Sequence, residues 1–102
     1  MNLQITGRHI EVTDGMKEHI GQHVEKLPKF DGKIQYITVT LDVDGGDPFV
    51  ELIAKCHRAD LIAEARAHDM YACIDQAFAK LQRQITRHHD KLTSHKARTP
   101  QE

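Results

Sequence analysis

The chain has 102 residues, of which 28% are charged and 39% hydrophobic, and its formal net charge at pH 7 is −1. This length suffices for one domain with a modest core, but not for the buried interior of a large multi-site enzyme. Two cysteines are too few for a disulfide framework, and no apolar run approaches the roughly 20 residues that span a bilayer. The chain is therefore expected to be cytoplasmic, with reduced thiols and no membrane partner.

The first half of the chain predicts a strand, a helix and a second strand. Residues 2–8 alternate between apolar and polar side chains, as a half-buried strand does. Thr13 or Asp14 is placed to cap a helix that Pro28 stops. The apolar stripe of this helix is Met16, Ile20, Val24 and Leu27. Residues 34–43 then predict a strand with one apolar face, formed by Ile37, Val39, Leu41 and Val43.

The second half predicts two further strands and a long helix. The segment 44–48 contains two glycines and a proline, a strong turn signal. The strand after it buries Val50, Leu52, Ala54 and Cys56, and a turn near 58–60 leads to a strand that buries Leu61, Ala63 and Ala65. Asp69 is placed to cap a final helix that ends near Thr93.

This order predicts an α+β fold, β-α-β-β-β-α, with a four-stranded mixed sheet. A crossover through the first helix makes the first two strands parallel, and hairpins add the other two. Each helix has a single apolar stripe, so both helices are expected on one face of the sheet. We expect one domain over residues 1–95 and a flexible polar tail over 96–102.

The final helix carries a basic stripe beside its apolar one. Its apolar residues are Ile74, Phe78, Leu81, Ile85 and Leu92, and the basic stripe is Lys80, Arg83, Arg87 and Lys91. At about 100° per residue the two stripes lie roughly 130° apart, so the helix can dock on a core and still present four cations.

Positive charge is concentrated at this end of the chain. Residues 80–98 hold six Lys or Arg and one acidic residue. Such asymmetry indicates a polyanionic partner, although a solvated helix face is the alternative for four cations alone. Arginine makes forked phosphate contacts, which favours RNA as the partner.

Tyr71, in the first turn of the same helix, has two interpretations. A tyrosine near a basic surface can stack on an RNA base, and Tyr71 is therefore included among the candidate RNA-binding residues. The commoner role at such a position is to pack the ring on the edge of the sheet.

The eight histidines raise the question of a metal site. His19 and His23 are spaced i, i+4 on the first helix, as zinc ligands can be. No further ligand stands at a suitable spacing, so we predict no metal, no cofactor and no catalytic residue. The alternative is a small metal-dependent hydrolase that also uses the acidic turn 42–47, although a solvated turn is the simpler interpretation. Cys73 is expected to be a small packing residue.

Three motifs resemble the bacterial ribosome hibernation factors. Residues 4–13 (QITGRHIEVT) are similar to the first strand and helix start of that family, 69–75 (DMYACID) to the start of its second helix, and 80–91 (KLQRQITRHHDK) to its basic helix. The motifs stand in the family's order, and the resemblance covers residues 1 to 95. Two positions depart from the family: His89 replaces a usual Lys or Arg, and the turn at 58–60 lacks a glycine.

The resemblance implies a fold related to double-stranded-RNA-binding domains and a role without enzymatic activity or a small-molecule substrate. It implies binding to the small ribosomal subunit and its rRNA, across the mRNA channel and the tRNA sites. Lys80, Arg83, Arg87 and Lys91 match the rRNA-contacting positions. The short, slightly basic end resembles the short factors, which act with a separate ribosome modulation factor to form inactive ribosome dimers. The alternatives are a factor that silences single ribosomes and a general double-stranded-RNA-binding module.

Overall fold

A computed structural model describes residues 2–27, 34–56 and 59–97, with side chains as far as residue 89. The elements are β1 (Asn2–Arg8), α1 (Asp14–Glu25), β2 (Ile34–Asp44), β3 (Asp47–Cys56), β4 (Asp60–Arg66) and α2 (Met70–Ala97). The predicted order β-α-β-β-β-α is confirmed.

The four strands form one sheet in the order β1-β2-β3-β4. β1 runs parallel to β2, with Ile5 opposite Val39, and the two hairpin pairs are antiparallel. The β2–β3 hairpin turns through Gly45 and Gly46, at φ +65° and +88°. Glycine adopts these angles without a steric penalty, which explains why a two-residue turn suffices. The predicted mixed sheet and its first turn are therefore correct.

The core lies between one face of the sheet and the two helices. The inward side chains of β2, β3 and β4 cluster with Ile20 of α1, with Leu27 just after that helix, and with the apolar face of α2. Val43 follows Leu41 in the same unbroken register, as predicted, but at 36% exposure it lies outside the core. Val43 pairs with Pro48 beside the hairpin turn, at the end of the strand.

Side-chain caps start both helices. The Thr13 hydroxyl accepts a hydrogen bond from the Met16 N–H at 3.1 Å, so Thr13 and not Asp14 is the cap of α1. The Asp69 carboxylate accepts from the Ala72 N–H at 2.9 Å, as predicted for α2. Each cap satisfies a backbone donor that the helix leaves unpaired.

The end of α2 differs from the prediction. The helix continues to Ala97, four residues beyond Thr93. The apolar stripe ends at Leu92, so periodicity does not predict a helix beyond that residue. Lys96 and Ala97 nevertheless have high helix propensity, and the first proline after them is Pro100. Pro28, Arg58 and residues 98–102 lie outside the described residues, as do the side chains of Lys91 and Leu92.

Asp42 is not part of a solvated turn, contrary to the prediction. It lies within β2, is 7% exposed, and stands opposite Arg8 in the parallel register. Its carboxylate accepts hydrogen bonds from Arg8 Nε at 3.0 Å, His9 Nδ1 at 2.8 Å and the Val43 N–H at 2.7 Å. The hydrogen bond from His9, followed by those from Arg8 and Val43, lowers the pKa of Asp42 to about 2. Asp42 therefore fixes the end of β1 on β2.

We expect Asp42 to make stability depend on pH in the acid range. Its pKa is about 2 in the folded state against 3.8 ordinarily, so its contribution is complete above pH 3.8 and is lost as pH falls toward 2. Asp42→Asn should therefore lower the free energy of unfolding near neutral pH, and much less at about pH 2. Urea unfolding of both proteins across this range measures the difference. An equal difference at both pH values would rule out the ionised carboxylate as its source.

In the part of the chain that the structure describes, neither helix is long and apolar enough to cross a membrane.

Candidate RNA-binding face of helix α2

α2 is held on the core along its apolar face. Ile74, Phe78, Leu81 and Ile85 are each at most 4% exposed, which confirms the predicted apolar stripe as far as residue 85. A rigid, buried face of this length fixes the direction of the remaining side chains of the helix. The basic stripe is thereby presented on an ordered surface.

Lys80, Arg83 and Arg87 of the basic stripe are all exposed, and the two arginines have the more open surroundings. Together with Ala79, Gln82 and Thr86 they line a shallow, open groove along α2. Among the described residues neither arginine makes a hydrogen bond or an ion pair, so both guanidinium groups are available for an external anion. Their planar donors match phosphate oxygens, and the short side chains of Ala79 and Thr86 in the groove leave room beside them for a phosphate group.

Lys80 has a different environment. Its ammonium donates a hydrogen bond to the Glu64 carbonyl at 2.8 Å, and Gln84 Nε2 donates to the Ile62 carbonyl at 2.7 Å. Both carbonyls belong to β4, the edge strand next to β3. α2 therefore caps the backbone acceptors of an exposed edge, which otherwise invites pairing with another chain. Lys80, which was predicted to bind RNA, lies on the same side of α2 as Arg83 and Arg87. Its ammonium, however, already donates a hydrogen bond within the protein.

Tyr71 is not brought together with the basic stripe. At about 100° per residue it lies roughly 120–180° around α2 from Lys80, Arg83 and Arg87. Instead of the expected contact with the sheet edge, the structure shows the ring meeting His19 of α1 edge-on, with centroids 5.1 Å apart. A methyl group placed on Gly15 would lie 2.7 Å from the Tyr71 hydroxyl. Tyr71 thus packs on α1 and remains 38% exposed.

Cys73 is a packing residue, as predicted. It is fully buried, and its thiol donates to the Ala65 carbonyl at 3.1 Å. Burial raises the pKa of the Cys73 thiol, which disfavours the thiolate that a nucleophile requires.

The sequence analysis named His19 and His23 as potential zinc ligands but missed Asp75, which completes the group. His19 and His23 lie on the side of α1 that faces α2, and each Nε2 is 2.6 Å from Asp75 Oδ1. Asp75 is 52 residues from His23 along the chain. Spacing along α1 therefore identifies the histidine pair, while only the packing of the two helices supplies the carboxylate. No residue of the acidic turn 42–47 belongs to this group.

Comparisons with known proteins agree on the family. A family model described as Sigma 54 modulation protein / S30EA ribosomal protein matches residues 3–93. The chain is 35% identical over 95 residues to the ribosome hibernation promoting factor of Salmonella typhimurium, covering 93% of this chain and 100% of that protein. The protein of the same name from Pseudomonas putida is 30% identical over 94 residues, covering 92% of each chain.

Solved structures share the fold. A ribosomal subunit interface protein from Coxiella burnetii superposes with a TM-score of 0.83 at 20% identity, covering 87% of this chain and 98% of that one. The N-terminal domain of Thermus thermophilus Protein Y gives a TM-score of 0.77 at 25% identity, covering 85% and 98%. The family model, the relatives and the common fold lead to one conclusion: the chain belongs to the Sigma 54 modulation protein / S30EA ribosomal protein family and has a ribosome-associated hibernation role.

Proposed function

We propose that this chain binds the small ribosomal subunit in the mRNA channel and the region of the tRNA sites, and that it silences idle ribosomes by occupying those sites. Its family membership makes it a ribosome-binding protein and not an enzyme. The choice of subunit and of site within it is our inference. The cytoplasm is the compartment in which it would act.

The observation that carries the proposal is the pair of exposed arginines, Arg83 and Arg87, on a helix fixed to the core. Within the described part of the chain neither arginine has an ion-pair or hydrogen-bond partner. Cations on a rigid helix lose little conformational entropy when they bind, in contrast to cations on a flexible basic tail. The near-neutral net charge of −1 argues against indiscriminate coating of nucleic acid. These properties favour a channel of defined shape lined by phosphates.

The proposed mechanism is competitive occupancy, in which no bond is made or broken. The folded domain would exclude mRNA and tRNA because their binding sites overlap its own. Contacts to the rRNA backbone should dominate, since structured RNA offers few base edges to a helix. Each phosphate contact releases counterions, so the affinity should fall as salt rises.

We further propose that the silenced ribosomes pair into inactive dimers together with a separate ribosome modulation factor, in stationary phase or under stress. The name of the relatives that are 34% to 35% identical, ribosome hibernation promoting factor, supports a role in hibernation. The pairing into dimers and the modulation factor are our inference. Silencing of single ribosomes is the other outcome, and gradient profiles of ribosomes with both proteins distinguish the two.

Sedimentation with separated ribosomal subunits tests the choice of partner. We expect the chain to co-sediment with vacant small subunits at about 100 mM salt, and to remain unbound with large subunits. The third arm uses an isolated RNA duplex, and we expect the chain to bind this duplex far more weakly than it binds the small subunit. Binding to large subunits alone would refute the proposal, and equal affinity for the duplex would make the chain a general double-stranded-RNA-binding module.

A further inference from the structure

Two imidazoles and one carboxylate converge between α1 and α2, on the side of α2 that faces α1. His19 Nε2 and His23 Nε2 each lie 2.6 Å from the same oxygen, Asp75 Oδ1. The three potential ligand atoms all lie within 4.8 Å of one another. We call this group the His–His–Asp cluster.

Aromatic contacts hold both imidazoles of the cluster in place. The His23 ring stacks on Phe78 with centroids 4.9 Å apart and an interplanar angle of 6°, and Phe78 is itself 2% exposed. The His19 ring meets His23 edge-on at 5.2 Å and Tyr71 edge-on at 5.1 Å. The imidazoles are therefore braced from the core side while their Nε2 atoms point at a common position. Such bracing lowers the entropy lost on binding an ion.

The donor set has the chemistry of a transition-metal site. Two neutral imidazoles spaced i, i+4 on a helix, completed by a carboxylate, suit zinc and its neighbours. Magnesium and calcium prefer oxygen ligands throughout. Without an ion, both imidazoles must donate a hydrogen bond to the same oxygen atom. With an ion, all three atoms offer lone pairs to it.

An ion requires modest changes in the distances between the ligand atoms. Metal–ligand bonds of about 2.0–2.2 Å in a tetrahedral site place the ligand atoms about 3.3 Å apart. Each nitrogen–oxygen separation, now 2.6 Å, would have to widen by about 0.7 Å. The two nitrogens, which lie within 4.8 Å of each other, would have to approach by up to about 1.5 Å. The side chain of Asp75 is 53% exposed and those of the two histidines are 30% and 27% exposed, so rotations of all three side chains can provide these changes.

We propose that His19, His23 and Asp75 form a binding site for a divalent ion of the zinc class, which joins α1 to α2. Three protein ligands leave the fourth tetrahedral position for water on the exposed side. The ion would stabilise the fold, since three ligands from two helices are assembled only in the folded chain. This inference is independent of ribosome binding, because no residue of the His–His–Asp cluster belongs to the basic stripe. At about 100° per residue, Asp75 lies roughly 80–140° around α2 from Lys80, Arg83 and Arg87.

Titration calorimetry of the metal-free full-length chain with zinc chloride tests the proposal. We compare the wild type with His23→Gln and Asp75→Asn, each of which removes one ligand while preserving size. His68→Gln is the matched control, because His68 is fully exposed and lies outside the cluster. Circular dichroism establishes that each variant is folded before titration.

We expect the wild type and His68→Gln to bind one more equivalent of zinc than the two cluster variants, with a Kd in the micromolar range or below. Zinc at about 100 times Kd should raise the folding equilibrium constant about 100-fold, and Tm by on the order of 10 °C, only where the cluster is intact. If His23→Gln and Asp75→Asn bind as many equivalents as the wild type, or if zinc leaves the Tm of the wild type unchanged, the cluster is a hydrogen-bonded contact between helices and the proposal is wrong.

Discussion

Replacing both Arg83 and Arg87 by glutamate should weaken binding to the small ribosomal subunit about 100-fold. Each arginine is expected to make one charge-assisted hydrogen-bonded contact to phosphate, worth about 1.5 kcal/mol or more, so the loss of two costs about 3 kcal/mol. The repulsion of the new carboxylates by phosphate adds to this loss. The slope of log K against log salt should also become less negative by about 2, since two fewer phosphates are neutralised. Filter binding or fluorescence anisotropy over a salt series measures both quantities.

The matched control reverses the charge of two lysines that lie outside the basic stripe. Lys17 and Lys26 are exposed residues within and just after α1, away from the basic stripe, and their replacement by glutamate makes the same change in net charge. We expect this control to lose less than about threefold in affinity at the same salt concentration. Equal losses in the two double variants would show that net charge, and not the face of α2, governs binding.

A large loss of stability is expected from a substitution in the core, on the apolar face of α2. Leu81 is fully buried in the middle of α2, among side chains from the helix and the sheet. Leu81→Ala should lower the free energy of unfolding by about 3 kcal/mol, through lost apolar burial and the cavity that remains. For a domain of this size that corresponds to a fall in Tm of about 12–24 °C. Thermal unfolding followed by circular dichroism measures it.

The neighbouring residue provides the control for this substitution. Gln82 is exposed, so Gln82→Ala should change the free energy of unfolding by less than about 0.5 kcal/mol. A comparable loss of stability in both variants would mean that α2 is not anchored through the face that contains Leu81.

The architecture could be predicted because it depends on local patterns. The alternation of Ile37, Val39 and Leu41 identifies a strand with one buried face, and that face is buried. The glycine pair 45–46 determines a hairpin turn that needs positive φ angles. For the same reason Arg83 and Arg87 are exposed as predicted, since their separation from the apolar stripe follows from helical periodicity alone.

The side-chain contacts that sequence analysis missed join segments that are distant along the chain. Asp42 reads as a polar residue of an acidic turn, yet it is buried because the parallel register sets Arg8 opposite it. Tyr71 and Asp75 acquire their partners from the packing of α2 against α1, and no local pattern specifies that packing. Lys80 is likewise engaged by a carbonyl of β4 that only the tertiary fold brings close to it.

Competition on the small subunit tests the central claim most directly. Fluorescently labelled chain is first bound to vacant small subunits, and mRNA with initiator tRNA is then added at increasing concentration. We expect the labelled chain to be released in proportion to the binding of mRNA and tRNA, and we expect no subunit to hold the chain together with mRNA and tRNA. A stable complex that contains the chain, mRNA and tRNA together would contradict the claim.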